Sequence, residues 1–150
     1  MSVFPVLNFD LDMDFKTVQE NNTTKIWDAF RQKYVKLTPE EWVRQHVAHY
    51  LLKKNYPKPL IALEKKLTVN GLTKRFDILV FDSTNHPFLL AECKSPDVQI
   101  DEKTLNQVLI YNRQLKAPYL MITNGLTHYY LHINEKEINF IPNLPDFETG

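Results

Sequence analysis

The alternation of apolar and polar positions divides the chain into short elements, and two neighbouring stretches stand out. Phe76 to Phe81, apolar except for Asp77, and Phe88 to Ala91 are apolar runs, rich in aromatic and branched residues and bounded by Asp, Asn, Ser and Pro. That is the pattern of strands buried on both faces. Upstream, Leu60 to Val69 alternates through Ile61, Leu63, Leu67 and Val69, and Asn70-Gly71 supplies a hairpin turn into the run that carries Asp77. Thr38-Pro39-Glu40-Glu41 starts a helix, with Thr38 as N-cap, Pro39 at the first helical position and Glu41 completing a capping box. This helix runs to about Lys54, where Asn55, Pro57 and Pro59 end it, and Trp42, Val43, Val47, Tyr50 and Leu51 give it a core face.

Asp101 caps a second helix that runs through about Leu115, with Leu105, Val108, Leu109, Asn112 and Leu115 on its inner side. Pro118 to Thr123 reads as a strand, Asn124-Gly125 as a turn, Tyr129 to Ile133 with Ile138 to Ile141 as a hairpin, and the tail from Pro142 as loop. Residues 1 to 24 show little periodicity, and Asn21 to Thr24 reads as a loop. Ile26 to Tyr34 fits a short helix with Trp27, Phe30 and Tyr34 on one side. Helix, three-strand meander, helix, strand and hairpin in that order predict an α/β fold, a mixed central β-sheet flanked by helices on both faces. No internal repeat is visible. The expectation is a single domain over 1–150, with 1–24 as an N-terminal extension and the motifs confined to 38–125.

Composition narrows the class. With 150 residues and 43% hydrophobic content, one domain can bury a substantial core. No window is long and apolar enough to span a bilayer, and Met1 to Asp14 lacks the order of a signal peptide. A cytoplasmic protein without a membrane partner is the expectation. The single cysteine, Cys93, suits a reducing compartment and excludes an internal disulfide. The formal net charge is zero, so no global basic field announces a nucleic-acid partner, although a local patch would suffice.

The candidate chemistry lies between Arg75 and Lys94. Strand alternation puts Glu92 and Lys94 on one face, and antiparallel pairing across the 82–87 turn brings Asp77 beside them. A hard divalent cation prefers carboxylate and phosphate oxygens, so Asp77 and Glu92 with Lys94 suit magnesium at a scissile phosphate, and the backbone carbonyl of Cys93 could complete the protein ligands. A buried ion pair, with Lys94 neutralising either acid, explains the same residues without catalysis. The Cys93 thiol points to the other face and reads as a small core residue. None of the five histidines pairs convincingly with carboxylates, and His128 and His132 read as surface residues. Asp10, Asp12 and Asp14 open like a calcium loop, but Phe15 stands where glycine is needed and Asn21 where the closing Glu belongs. Gln107 and Tyr111, one helical turn apart, are either a functional pair or a core tyrosine with a solvated neighbour.

Six stretches together resemble a known pattern: TPEEWVRQH at 38–46, LEKKL at 63–67, KRFDILVFD at 74–82, LLAECKSP at 89–96, QVLIYN at 107–112 and YLMITNG at 119–125. In order and spacing they resemble the PD-(D/E)XK nuclease superfamily, and more narrowly the N-terminal nuclease domain of type I restriction enzyme motor subunits. The usual proline before the acid is Phe76 here. The resemblance implies a restriction-endonuclease-like fold and a metal-dependent DNA endonuclease in which metal-activated water hydrolyses phosphodiester bonds. It places Asp77, Glu92 and the Cys93 carbonyl on Mg²⁺, for which Mn²⁺ can substitute, and makes Lys94 the group that orients water and stabilises phosphorane charge. A lysine base would need its reference pKa of about 10.4 lowered substantially, so the electrostatic role is preferred. Glu41 matches a helix acid that supports the metal through water, its capping role being an equally good local explanation. Gln107 and Tyr111 match a Gln-x-x-x-Tyr pair that touches the DNA backbone. The implied partners are DNA and other restriction-modification subunits. With only Gly71, Gly125 and Gly150, the chain carries no phosphate-binding glycine loop, so no ATP site is expected. The competing expectation is a noncatalytic nucleic-acid-binding or scaffold domain on the same fold.

Overall fold

A computed structural model describes residues 4–147. Its first unit is a small antiparallel sheet of β1 (Thr17–Glu20), β2 (Thr23–Asp28) and β3 (Lys33–Lys36), in that order. Here the sequence reading is corrected, because Ile26 to Tyr34 is a strand pair and not a helix. Trp27 and Tyr34, seven residues apart, fit two helical turns as well as they fit a hairpin, and the structure makes them direct cross-strand partners. The hairpin closes because the buried carboxylate of Asp28 accepts the backbone N–H of Phe30 at 2.7 Å and of Arg31 at 2.9 Å. Asn21 and Asn22, with φ of 51° and 65°, form the preceding two-residue turn, so Thr23 and Thr24 belong to a strand rather than to the expected loop.

Helix α1 (Pro39–Lys53) starts where its capping residues place it, with Thr38 Oγ1 accepting the Glu41 N–H at 3.0 Å. The expected capping box is only half formed, since the Glu41 carboxylate turns toward arginines instead. A short 3₁₀ turn at Lys58–Leu60 then leads into a six-stranded sheet of β4 (Ile61–Val69), β5 (Leu72–Phe81), β6 (Pro87–Cys93), β7 (Tyr119–Thr123), β8 (His128–Ile133) and β9 (Ile138–Ile141). The strands lie in sequence order, and the β6–β7 pair is parallel while the others are antiparallel. A parallel pair needs a crossover, and α2 (Glu102–Leu115) supplies it, capped by Asp101 accepting the Thr104 N–H at 2.9 Å.

The two helices cover opposite faces of this sheet. Val43, Val47, Ala48 and Leu51 of α1 pack with Leu89, Ala91 and Met121, whereas Val108 and Leu115 of α2 pack with the alternate residues Leu90, Leu120, Ile122 and Leu131. Each fully buried aliphatic side chain of this kind contributes about 1.5–3 kcal/mol. The β4–β5 hairpin departs from simple alternation. Leu63 and Ile78 join the α1 side but Leu67 and Phe76 join the α2 side, so both strands change face between these positions. The change falls at Glu64, whose φ is 54°, and at Asp77, the residue opposite it in the register. A non-glycine residue in the left-handed region within a strand stores strain, and such residues concentrate at functional sites.

Residues 4–16 are laid along α1. Trp42 Nε1 donates to the Pro5 carbonyl at 3.2 Å and Asn8 N–H to the Gly125 carbonyl at 2.8 Å, while Phe9 packs on His128 with ring centroids 4.4 Å apart. His128 is half-buried in consequence, bridging Thr123 Oγ1 and the Asn8 carbonyl, and is not the surface residue expected. The tail lies against the same face, where Tyr56 Oη donates to the Pro145 carbonyl and Phe147 packs on Phe88.

Candidate functional site

Strand β5 delivers Asp77 and strand β6 delivers Glu92 and Cys93, with Lys94 directly after it. The antiparallel register pairs Ile78 with Ala91, which sets the next residues, Asp77 and Glu92, abreast. Asp77 is fixed at both oxygens. Its Oδ2 accepts the Cys93 backbone N–H at 2.8 Å and its Oδ1 accepts from Arg44 at 3.0 Å. Glu92 is 9% exposed, and its Oε1 has no hydrogen-bond partner. Burial first, and then the neighbouring Asp77 charge, push the Glu92 carboxyl up to about 8, with Lys74 and Lys94 acting in the opposite direction. A buried carboxylate oxygen beside a second carboxylate is costly unless a proton, hydrogen-bonded to Asp77, or a cation relieves it.

Lys94 is half-buried and held at its backbone, where its N–H donates to the Thr123 carbonyl at 2.8 Å. Its charge acts on Glu92 and on Glu40, so the ammonium belongs to the same electrostatic cluster. The Cys93 thiol is buried on the α1 side, and burial holds it well above its ordinary pKa, which leaves it an inert core group. Among the described residues, no group of three or more His, Cys, Asp or Glu side chains is arranged to hold a metal. Asp77 and Glu92 supply the hard oxygens that a divalent cation prefers, and the orphaned Glu92 Oε1 fits such an ion.

Glu41 is joined to Asp77 through Arg44, within a network of ion pairs. Its Oε2 accepts from Arg31 at 2.8 Å and from Gln45 at 3.0 Å, and its Oε1 is bonded by Arg44. The neighbouring acid Glu40 faces the cluster instead: burial raises its pKa first, and Asp77 raises it further, against Arg44 and Lys94. Two residues that the sequence reading did not single out complete the site. Arg44, 5% exposed, reaches Asp77, Glu41, Glu40 and Glu64, the last at 2.7 Å. Burial would lower its pKa, but Glu41 and Asp77 more than offset this and raise it. Glu64, the strained residue of β4, also takes Arg75 at 3.3 Å. The Glu40/Glu41/Arg44 spacing of i, i+3 and i, i+4 was a visible signal for Arg44. For Glu64 there was none, because the face change is not written in the apolar alternation.

The pair on α2 divides. Tyr111 is half-buried, and Lys74 lies over its ring 4.2 Å from the centroid, which links it through the Lys74 charge to Glu92. Gln107 is exposed, in a shallow hollow with Glu102, Lys103, Asn106 and Ile110, and no bond ties it to the carboxylates.

A mixed six-stranded sheet between two helices defines an α/β domain, with Asp77 and Glu92 brought abreast on neighbouring strands β5 and β6. The chain belongs to the family of type I restriction enzyme R protein N termini (HSDR_N), whose match covers residues 39–145. No curated protein matches it. Among solved structures it is similar to a protein from Anabaena variabilis ATCC 29413, described as a candidate nuclease belonging to DUF820. The two are 14% identical, with a TM-score of 0.48, over 82% of this chain and 79% of that one. No helix among the described residues is long and apolar enough to cross a membrane.

Proposed function

We infer that the chain is the endonuclease domain of a type I restriction system and hydrolyses phosphodiester bonds of DNA with Mg²⁺, or Mn²⁺ in its place. The observation that carries this reading is the Glu92 carboxylate, buried with a free Oε1 beside an Asp77 already oriented by the Cys93 N–H. Asp77, Glu92 and the Cys93 carbonyl would hold the cation, with Glu40 or Glu41 acting through water, and Glu40 is the better placed because both Glu41 oxygens are taken by arginines. A bound divalent ion would supply Lewis-acid polarisation of the phosphate and a lowered pKa for water.

The protein groups have separate tasks. Glu92 must lose its proton, since burial keeps it protonated near neutral pH without a cation. Lys94 stabilises negative charge accumulating on the phosphorus oxygens from a backbone fixed by Thr123. Gln107 and Tyr111 bind the DNA backbone, with Lys74 adding a positive charge beside the phenol. DNA and further restriction-modification subunits are the partners, and the cytoplasm is the compartment.

Cleavage of supercoiled plasmid with Mg²⁺ tests these roles. Lys94→Ala should cut at least about 100-fold more slowly with unchanged melting, a loss within the range of removing one charge-stabilising donor. Gln107→Ala should slow cutting without earlier melting. Wild-type rates in Lys94→Ala would remove it from the reaction. One observation favours a second reading, a noncatalytic nucleic-acid-binding or scaffold domain: Asp77 is already ion-paired with Arg44. Complete inertness on DNA with Mg²⁺ or Mn²⁺, alongside retained folding and DNA binding, would select it.

A further inference from the structure

The small sheet of β1, β2 and β3 has an outer face that the proposed nuclease chemistry does not use. Cross-strand partners and residues two apart share a face, so Trp27, its partner Tyr34, Lys25 and its partners Val18 and Lys36 all point one way. Lys16 joins them. Its carbonyl accepts the Trp27 N–H at 2.8 Å, and its Nζ lies 5.9 Å from the Tyr34 ring centroid. The alternate residues Ile26 and Asp28 are fully buried, so the face bearing the aromatics and lysines is the solvent side. Lys16 and Lys36 are exposed, Trp27 and Tyr34 are half-buried, and their rings meet edge to face at 5.2 Å. Among the described residues of β1 to β3, Glu20 is the one acid on this face, and it is paired with Lys25 at 3.5 Å.

We propose that this face binds single-stranded nucleic acid, with Trp27 and Tyr34 stacking on unpaired bases and Lys16, Lys25 and Lys36 tracking the phosphates. Three lysines against one paired acid leave the face positive although the chain is neutral overall, and the complementary ligand is a polyanion. Aromatic rings between the lysines favour exposed bases over a duplex, whose bases are already stacked. Three strands spaced about 4.8 Å apart give a platform about 10 Å wide, suited to one strand. The platform is also wired to the candidate site. From Asp28 on its inner face, ion pairs run to Arg31, from Arg31 to Glu41 at 2.8 Å, then to Arg44, and from Arg44 to Asp77 at 3.0 Å.

Anisotropy titration of labelled dT12 and rU12, in EDTA and at several salt concentrations, tests this independently of any cleavage. The wild type should bind a single strand better than the matching duplex. Lys25→Ala combined with Lys36→Ala should weaken binding roughly tenfold at low salt and flatten the salt dependence by about 1.4 in slope, given about 0.7 per phosphate contact. Trp27→Ala should weaken it by roughly tenfold, within the range of a lost stacking contact. Glu20→Lys, which adds charge to the same face, should tighten it. If Trp27→Ala melts early, the two lysines carry the test, since their side chains reach solvent. Wild-type affinity and salt slope in the double lysine variant, or no binding by the wild type, would overturn the proposal.

Discussion

At the scale of single residues, Arg44 and Glu92 hold opposite positions. Arg44 is a buried cation surrounded by acids, and Glu92 is a buried acid whose Oε1 has no partner. Removing Arg44 would leave the partly buried Asp77 without its ion-pair partner and Glu41 with Arg31 alone, and breaking a buried pair costs about 3–5 kcal/mol. Arg44→Ala should therefore lower the denaturation midpoint sharply. A loss below about 1 kcal/mol would mean that water replaces the guanidinium.

For Glu92 the sign follows from its raised pKa. Its ordinary value is 4.5 and its folded value about 8, so between these limits the unfolded chain has given up a proton that the fold retains. Stability in the metal-free protein should thus fall as pH rises from about 5 to about 8, and Glu92→Gln should flatten that fall. Melting in EDTA across this range measures it, and identical pH profiles for the two proteins would show that Glu92 ionises freely in the fold. That Asp77 and Glu92 lie abreast was legible from strand alternation together with the 82–87 turn. The placement of Glu64 and Glu40 was not, because each depends on where β4 bends and how α1 is rotated.

At the scale of elements, local signals were sufficient wherever a cap or a turn residue fixed the backbone. Thr38, Asn70-Gly71 and Asp101 each mark a boundary that the structure reproduces. The failures share a cause. The stretch from Ile26 to Tyr34 was ambiguous in period, and its strand pairing depends on the Asp28 turn and on burial of Ile26, which are tertiary facts. The joint between N-terminal segment and sheet offers a test at this scale. Gly125 has φ of 88°, and a Cβ there would lie 2.8 Å from Leu7 Cδ2 and 3.2 Å from Val43 Cγ2. Gly125→Ala should cost about 1–3 kcal/mol, and release of the 4–16 segment should make it cleave earlier under limited proteolysis. An alanine variant as stable and as protease-resistant as wild type would show that the segment is not anchored there.

For the whole molecule, the sheet order puts the parallel β6–β7 pair at the centre and the helices on opposite faces, so the middle of β5, at Asp77, meets Arg44 in the first half of α1. The order of elements was readable because each connection is short and each run has one period, whereas the separate small sheet was hidden by the misread hairpin. In the proposed function, Asp77 and Glu92 form a cation site serving DNA hydrolysis. Calorimetric titration of Mn²⁺ into the wild type and Asp77→Asn, on protein of verified folding, tests it most directly. The account predicts a saturable site in the wild type, with proton release near pH 7 as Glu92 ionises, and its loss in Asp77→Asn. No Mn²⁺ binding by the wild type, or binding unchanged in Asp77→Asn, would contradict it.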